Sequence, residues 1–189
     1  TFMKNPYIFG YLPLITISLF SLSFGVFTVM EALELFKGIG VYSGMREFLS
    51  DLQLRLFLLI VFAFFYFMVF SALKLIAETI HELAMLFFSK DFEGHTIHHA
   101  RGGYVVYFFG GLASVIGIQS LPILVLIFVV TTFIYFIYVV YKLSHSMTMA
   151  GTVGMILFEI IVWSMFISLV VYVLLKLYNG LMASLPFLD

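Results

Sequence analysis

Imidazole and carboxylate side chains are concentrated between residues 74 and 101, where four of the five histidines of the chain occur. Residues three and four apart on a helix project to the same side, which predicts one polar face formed by Lys74, Glu78, His81 and Glu82. Neutral imidazole and carboxylate oxygen are ligands of zinc and iron. The stretch is therefore a candidate divalent-metal site, for zinc or iron, with these ligands: Glu78, His81, Glu82, His95, His98 and His99.

Two motifs in this stretch are similar to known metal sites, and each is incomplete. His81 and Glu82 begin the His-Glu-x-x-His pattern of zinc proteases, but Met85 occupies the position of the second histidine. The loop motif His-x-x-His-His, which ends at His99, resembles a histidine box of membrane desaturases and hydroxylases. Those enzymes need several boxes to hold two irons. A solvated loop after a polar helix end explains the same residues without a metal.

Glu159 and Lys74 are ionisable residues of the apolar segments and are predicted to lie in the membrane or at its edge. A charged side chain at the centre of a bilayer costs about 2.5–3.5 kcal/mol by insertion scales, so it usually faces a partner or a cavity. Lys74 approaches the same membrane face as Glu159 and is a candidate partner. Two roles fit Glu159: an ion or proton site, and a neutralised packing contact. His145, alone in a short loop, is interpreted as a surface residue rather than a haem ligand.

The composition places these residues in a membrane protein. Of the 189 residues, 63% are hydrophobic and 10% are charged, and the mean hydropathy is +1.18. Soluble proteins carry about 25% charged residues, so the apolar surface of this chain must face lipid. A net charge of −1 excludes a basic field that would attract nucleic acid. The absence of cysteine excludes disulfides and thiolate chemistry.

Long apolar runs predict an all-α, polytopic integral membrane protein with a single transmembrane helical domain over residues 1–189. About five spans are expected, at residues 12–30, 56–73, 104–119, 122–141 and 152–175. The second helix has no proline or glycine before Phe88, so it is predicted to be one long helix that extends beyond the bilayer. Small residues in the third span predict close contact with another helix, at Gly110, Ala113, Ser114 and Gly117.

The connection over residues 37–53 has two interpretations. Its first half contains three glycines and is predicted to be flexible. Its second half places apolar residues at helical spacing, at Met45, Phe48, Leu49 and Leu52. A short amphipathic helix in the membrane interface explains this pattern, and so does a lead-in turn of the second span.

Five spans put the two chain ends on opposite sides of the membrane and every histidine at one membrane face. Lys4 precedes the first span, whereas Glu31 and Glu34 follow it. Because positive residues are enriched on the cytoplasmic side, this asymmetry favours a cytoplasmic N-terminus.

Two segments carry a resemblance to a known family. The opening KNPYIFGYLPLI and the segment FMVFSALKLIAETIHELAMLFFSK resemble a small family of uncharacterised membrane proteins of Bacillus-type bacteria, as does the arrangement of spans. The resemblance implies a location in the bacterial plasma membrane. The resemblance carries no assigned activity, so it identifies no catalytic residue in this chain.

These observations predict a multi-pass protein of the bacterial plasma membrane that is not an enzyme. It would be a small transporter or channel, or an accessory subunit of a membrane complex. Its expected partners are the lipid bilayer and either further copies of itself or a larger complex, because small residues in the third span favour helix association. The alternative is a metal-dependent membrane enzyme that uses the Glu/His cluster of residues 78–99.

Overall fold

The computed structural model describes residues 8–90 and 101–184, and every regular element within these two ranges is a helix. The α-helices in them are α1 (Ile8–Gly38), α2 (Val41–Phe48), α3 (Asp51–Phe88), α4 (Tyr104–Ser114), α5 (Leu121–Leu143) and α6 (Met149–Ser184). Short 3-10 turns flank α4 and follow α5, at Arg101–Gly103, Val115–Gly117 and Ser144–Ser146. The predicted all-α fold is confirmed.

Among the described helices, α1, α3, α5 and α6 are long and apolar enough to cross a membrane, and α4 is shorter. α3 has 38 residues, a length of about 57 Å at about 1.5 Å per residue. This exceeds the hydrocarbon layer of about 30 Å, as predicted for the second helix. α4 has 11 residues and, with the 3-10 turn that follows, measures about 22 Å. The protein is therefore a polytopic helical membrane protein with four long spans and a shorter one.

α1 and α3 cross closely because a glycine lies at their contact. A Cβ added at Gly25 of α1 would lie 3.1 Å from the backbone nitrogen of Ala63 of α3. One turn further along, the hydroxyls of Thr28 and Tyr66 lie 3.0 Å apart and join the same two helices. Two clusters of buried apolar side chains extend the packing, one of Phe20, Phe24, Phe70 and Leu124 and one of Val29, Leu33, Leu54 and Leu58.

Small residues bring α4 against both α1 and α5. Gly110 faces Thr131 of α5, and Gly111 faces α1. The hydroxyl of Ser114 lies 2.8 Å from that of Ser23 in α1, and both side chains are buried. The close helix contact predicted from the small residues of the third span is confirmed, and its partners are the first and fourth spans.

The last turns of α3 and α5 meet the first turns of α6 at one end of the bundle. The N–H of Lys90 donates to the carbonyl oxygen of Ser146 at 3.2 Å. Gly154 of α6 lies against the ring of Phe88, where a Cβ would come within 2.6 Å of a ring carbon. Buried apolar side chains fill this end, at Ala84, Met85, Val139, Leu143 and Met155. The connections before α4 and after α5 thus begin at the same end, as the five-span arrangement predicts.

The connection between α1 and α3 contains a separate helix rather than a lead-in turn of α3. Gly40, with a φ of 77°, precedes α2 in the left-handed conformation that glycine adopts without strain. Leu49 is extended, and Ser50 then caps α3 by accepting a hydrogen bond from the N–H of Gln53. α2 begins before Met45, the first residue of the predicted apolar pattern, and ends before Leu52, the last. The hydroxyl of Tyr42 in α2 donates to Asp51, which raises the pKa of that hydroxyl.

Among the described residues, α6 contacts the bundle through its first half. Met155 and Glu159 are fully buried against the bundle, and Phe166 is the last half-buried residue before the helix diverges. Every residue from Ile167 to Gly180 is exposed. The outer half of α6, residues 167–180, therefore packs on no described part of its own chain.

Candidate functional site

A polar cluster lies where the second half of α3 meets α4 and α6, with the His81–Glu159 pair buried and Lys74 and Glu78 each about one-third exposed. α3 supplies one side of it, because its second half carries ionisable residues at helical spacing. The ammonium of Lys74 lies 2.6 Å from Oε1 of Glu78, one turn along the helix. The hydroxyl of Tyr104, the first residue of α4, donates to the same carboxylate oxygen. Lys74 also lies over the Tyr104 ring, 5.7 Å from its centroid.

The second half of the cluster joins α3 to α6. Nδ1 of His81 lies 2.7 Å from Oε1 of Glu159. The side chain of His81 is 13% exposed and that of Glu159 is 1% exposed, so the carboxyl is removed from both water and lipid. Its second oxygen, Oε2, is buried and has no hydrogen-bond partner among the described residues. A buried carboxyl with one open oxygen is able to bind a proton or a small cation.

Tyrosine rings form the floor of the cluster. Tyr135 of α5 stacks on Tyr104, with centroids 6.3 Å apart and planes 8° apart, and packs on Tyr107 at 4.9 Å. Its ring centroid also lies 6.2 Å from that of His81. Gly103 makes this stacking possible, because a Cβ there would lie 2.8 Å from the Tyr135 ring. These tyrosines were not predicted as site residues, since tyrosines in apolar spans usually mark the membrane interface.

The predicted partner of Glu159 was wrong. Lys74 is bound to Glu78, its neighbour one turn along, and Glu159 is bound to His81, which is 78 positions away in sequence. The pairing of Lys74 with Glu78 follows the helix spacing rule, because side chains four residues apart meet without any tertiary contact. The buried carboxyl therefore has a histidine rather than a lysine as its partner.

The structure brings together only part of the predicted metal-ligand set. Glu78 and His81 belong to the cluster described above, whereas Glu82 is exposed. The other three predicted ligands, His95, His98 and His99, lie outside the described residues. Within residues 8–90 and 101–184, no three histidine, aspartate or glutamate side chains are grouped as a metal site. His145 is exposed, with Nδ1 placed 2.8 Å from the carbonyl oxygen of Tyr141.

Elemental analysis of the purified protein tests the metal site. The metal hypothesis predicts about one zinc or iron per chain at neutral pH, because ligand deprotonation favours binding there. The double variant His98→Ala/His99→Ala should lose this metal, and His145→Ala, outside the predicted set, should retain it. A wild-type protein that carries no stoichiometric metal would rule out both the metal site and the metal-dependent enzyme.

Comparison with known proteins identifies relatives over nearly the whole chain. The model of a family of unknown function, DUF5366, matches residues 29–186. The uncharacterized membrane protein YufK of Bacillus subtilis strain 168 is 42% identical over 184 residues, which cover 97% of this chain and 100% of that protein. No solved structure gives a significant match. These matches confirm the resemblance to membrane proteins of Bacillus-type bacteria.

Proposed function

We propose that this chain, which belongs to the DUF5366 family of unknown function, is a small non-enzymatic transporter or channel of the bacterial plasma membrane. One observation carries the proposal: the carboxyl of Glu159 is buried between helices of a membrane protein, and only one of its two oxygens is bonded to a described residue. In this proposal Glu159 binds a proton or a monovalent cation during transport.

The cost of a buried carboxyl supports a functional role for Glu159. A carboxyl in a span is expensive unless it is paired or protonated, and such residues commonly mark ion or proton paths. His81 supplies a partner whose imidazole either donates or accepts a proton. The pair therefore offers two sites that exchange a proton or cation without leaving a bare charge in the apolar bundle.

The polar groups beside the His81–Glu159 pair suggest how a proton or cation reaches Glu159. Lys74 and Tyr104 both donate hydrogen bonds to Glu78, beside the His81–Glu159 pair. We infer that this group controls entry to Glu159, because the Lys74 ammonium would repel a cation unless Glu78 neutralises it. The Tyr135 ring lies beside both Tyr104 and His81. It would separate the Lys74–Glu78–Tyr104 group from the His81–Glu159 pair.

Ion flux in proteoliposomes tests this function. We expect wild-type protein to dissipate an imposed proton, sodium or potassium gradient, and Glu159→Gln to reduce the rate at least about tenfold because a neutral amide takes up no proton and offers a cation no negative charge. Glu82→Gln is the matched control, since Glu82 is exposed and adjacent to His81 in sequence, and it should keep the wild-type rate. A wild-type protein without flux, or unchanged flux in Glu159→Gln, would refute the proposal.

An accessory subunit of a membrane complex is the second candidate. The outer half of α6 favours it, because that surface packs on no described part of its own chain. Purification from native membranes in mild detergent tests it. A stoichiometric partner of different sequence would support the accessory subunit.

The proposed orientation has the N-terminus in the cytoplasm. Lys4 precedes α1, and Glu31 and Glu34 lie near its other end. α6 would then end outside the cell. Alkaline phosphatase fused after the last residue should be active, because that enzyme folds only outside the cytoplasm, and an inactive fusion would reverse the orientation.

A further inference from the structure

Two methionine thioethers lie one helix turn from the His81–Glu159 pair, on the same two helices. Met85 follows His81 by four positions in α3, and Met155 precedes Glu159 by four positions in α6. Side chains four positions apart project to the same side of a helix. Met85 is 6% exposed and Met155 is 0% exposed, and both belong to the buried cluster at this end of the bundle. The four side chains therefore share the contact between α3 and α6.

The two helices run antiparallel, which places the two thioethers at one level. His81 contacts Glu159, and seven positions further along α3 the ring of Phe88 lies against Gly154, five positions earlier in α6. Advancing along one helix thus means going back along the other. The level of the thioethers is about 6 Å from that of the His81–Glu159 pair, at about 1.5 Å per residue. A methionine side chain is unbranched and has three rotatable bonds, so it spans such a step.

The carboxyl of Glu159 supplies the charge that a cation site needs. Its Oε2 is buried and has no partner among the described residues, and its Oε1 lies 2.7 Å from Nδ1 of His81. One imidazole and one carboxylate are too few ligands for structural zinc, which takes about four. Two thioethers complete such a set, and thioether is a soft ligand that favours Cu(I). A single carboxylate also neutralises a monovalent cation, whereas a divalent cation would leave a buried positive charge.

A soft cation also accounts for an incomplete sequence motif. In the His-Glu-x-x-His pattern of zinc proteases, both histidines bind the metal from one face of a helix. Here Met85 occupies the second of these positions, so α3 presents one imidazole and one thioether at the same spacing. This replacement favours a softer ion than zinc. The chain contains no cysteine, so methionine is its source of soft ligands.

We propose that His81, Met85, Met155 and Glu159 form a binding site for a soft monovalent cation, Cu(I) or its analogue Ag(I), between α3 and α6. The cation lies between Nδ1 of His81 and the Glu159 carboxyl, in place of the hydrogen bond that joins them, and the thioethers approach it from the adjacent level. This site goes beyond the proposed transport and stands even if the protein moves no ion across the membrane. If both proposals hold, the metal and the transported ion compete for Glu159.

Two further methionines connect the site to the surface at this end of the bundle. Met147 is half-buried and packs against the same cluster as Met155. Met149, the first residue of α6, is 89% exposed. The thioethers thus become more exposed from Met155 outwards. They offer a soft cation ligands between the surface and the buried site.

Metal binding by the purified protein in detergent tests the site. The background is His98→Ala/His99→Ala, which removes two loop imidazoles that would compete for the metal. The probes are Ag⁺ in chloride-free buffer and Cu(I) in competition with bicinchoninate, and we expect one cation per chain. Met85→Leu and Met155→Leu should each weaken binding at least about tenfold, because losing even an outer-shell group at a metal site costs about 10–100-fold. Met165→Leu, at an exposed position of α6, is the matched control and should keep the affinity.

Leucine and methionine have similar volumes, so these variants should fold, and circular dichroism checks that they do. X-ray absorption of the Cu(I)-loaded protein supplies a second measurement. It should show sulfur neighbours of copper, and fewer of them in each leucine variant. Absence of Ag⁺ and Cu(I) binding, unchanged affinity in either leucine variant, or a copper spectrum without sulfur would overturn the proposal. Neither measurement involves ion flux, so this site and the transport function fail separately.

Discussion

Replacing His81 with alanine should lower the free energy of unfolding by about 2–3 kcal/mol, because it leaves the Glu159 carboxyl buried without a partner. Glu159 is 1% exposed, and its other oxygen already has no partner among the described residues. The measurement is denaturation by SDS in mixed micelles, followed by circular dichroism. The effect should exceed the cost of losing an ordinary hydrogen bond between membrane helices, which averages about 0.6 kcal/mol.

Two companion variants separate the pair from general damage. Glu82→Ala, next to His81 but exposed, should change the free energy of unfolding by less than about 0.5 kcal/mol. The double variant His81→Leu/Glu159→Leu should recover most of the loss, because apolar replacement of a whole buried pair is often neutral. If His81→Ala costs no more than Glu82→Ala, the contact between α3 and α6 does not depend on this pair.

Replacing Gly110 with alanine should destabilise the protein by about 2–3 kcal/mol, because the new methyl group overlaps α5. A Cβ at Gly110 would lie 2.2 Å from Oγ1, 2.4 Å from Cγ2 and 2.8 Å from Cβ of Thr131. The Thr131 hydroxyl is held by the carbonyl oxygen of Ile127 at 2.7 Å. Relief therefore needs α4 and α5 to separate. The same unfolding measurement in mixed micelles quantifies the loss.

A second glycine provides a control of opposite sign. A Cβ at Gly180 of α6 meets nothing within 4 Å, so Gly180→Ala should stabilise the helix by about 0.5–1 kcal/mol. Adding Thr131→Ala to Gly110→Ala should restore part of the stability, since it removes the two nearest atoms. Equal effects at Gly110 and Gly180 would show that α4 and α5 do not pack as closely as described.

The helical membrane fold was predictable because it depends on composition and on the length of apolar runs. The positions of the helix ends were not predictable in the same way. α1 continues to Gly38 through Glu31 and Glu34, because hydropathy marks contact with lipid while backbone hydrogen bonds decide where a helix ends. The break at Leu49 was also missed, since the extended residue that separates α2 from α3 is itself apolar.

The candidate site was only partly predictable. Glu159 stands out as a carboxylate in an apolar run, and its burial needed no tertiary knowledge. Identifying the partner of Glu159 did need tertiary knowledge, because the pairing with His81 depends on which helices are neighbours. The pairing of Lys74 with Glu78, by contrast, follows from spacing along one helix and was available from the sequence. Tyr135 was not predictable as a site residue, because only the tertiary packing of α5 brings it beside His81 and Tyr104.

The contact of Gly25 with Ala63 divides α3 into unequal arms. Ala63 is 12 positions from Asp51 and 25 from Phe88, which correspond to about 18 Å and 38 Å of rigid rod. Tilting α3 about this fulcrum would move its Phe88 end about twice as far as its Asp51 end. A tilt of α3 that is small at the Asp51 end would therefore be larger at the Phe88 end, where Lys90 bonds Ser146.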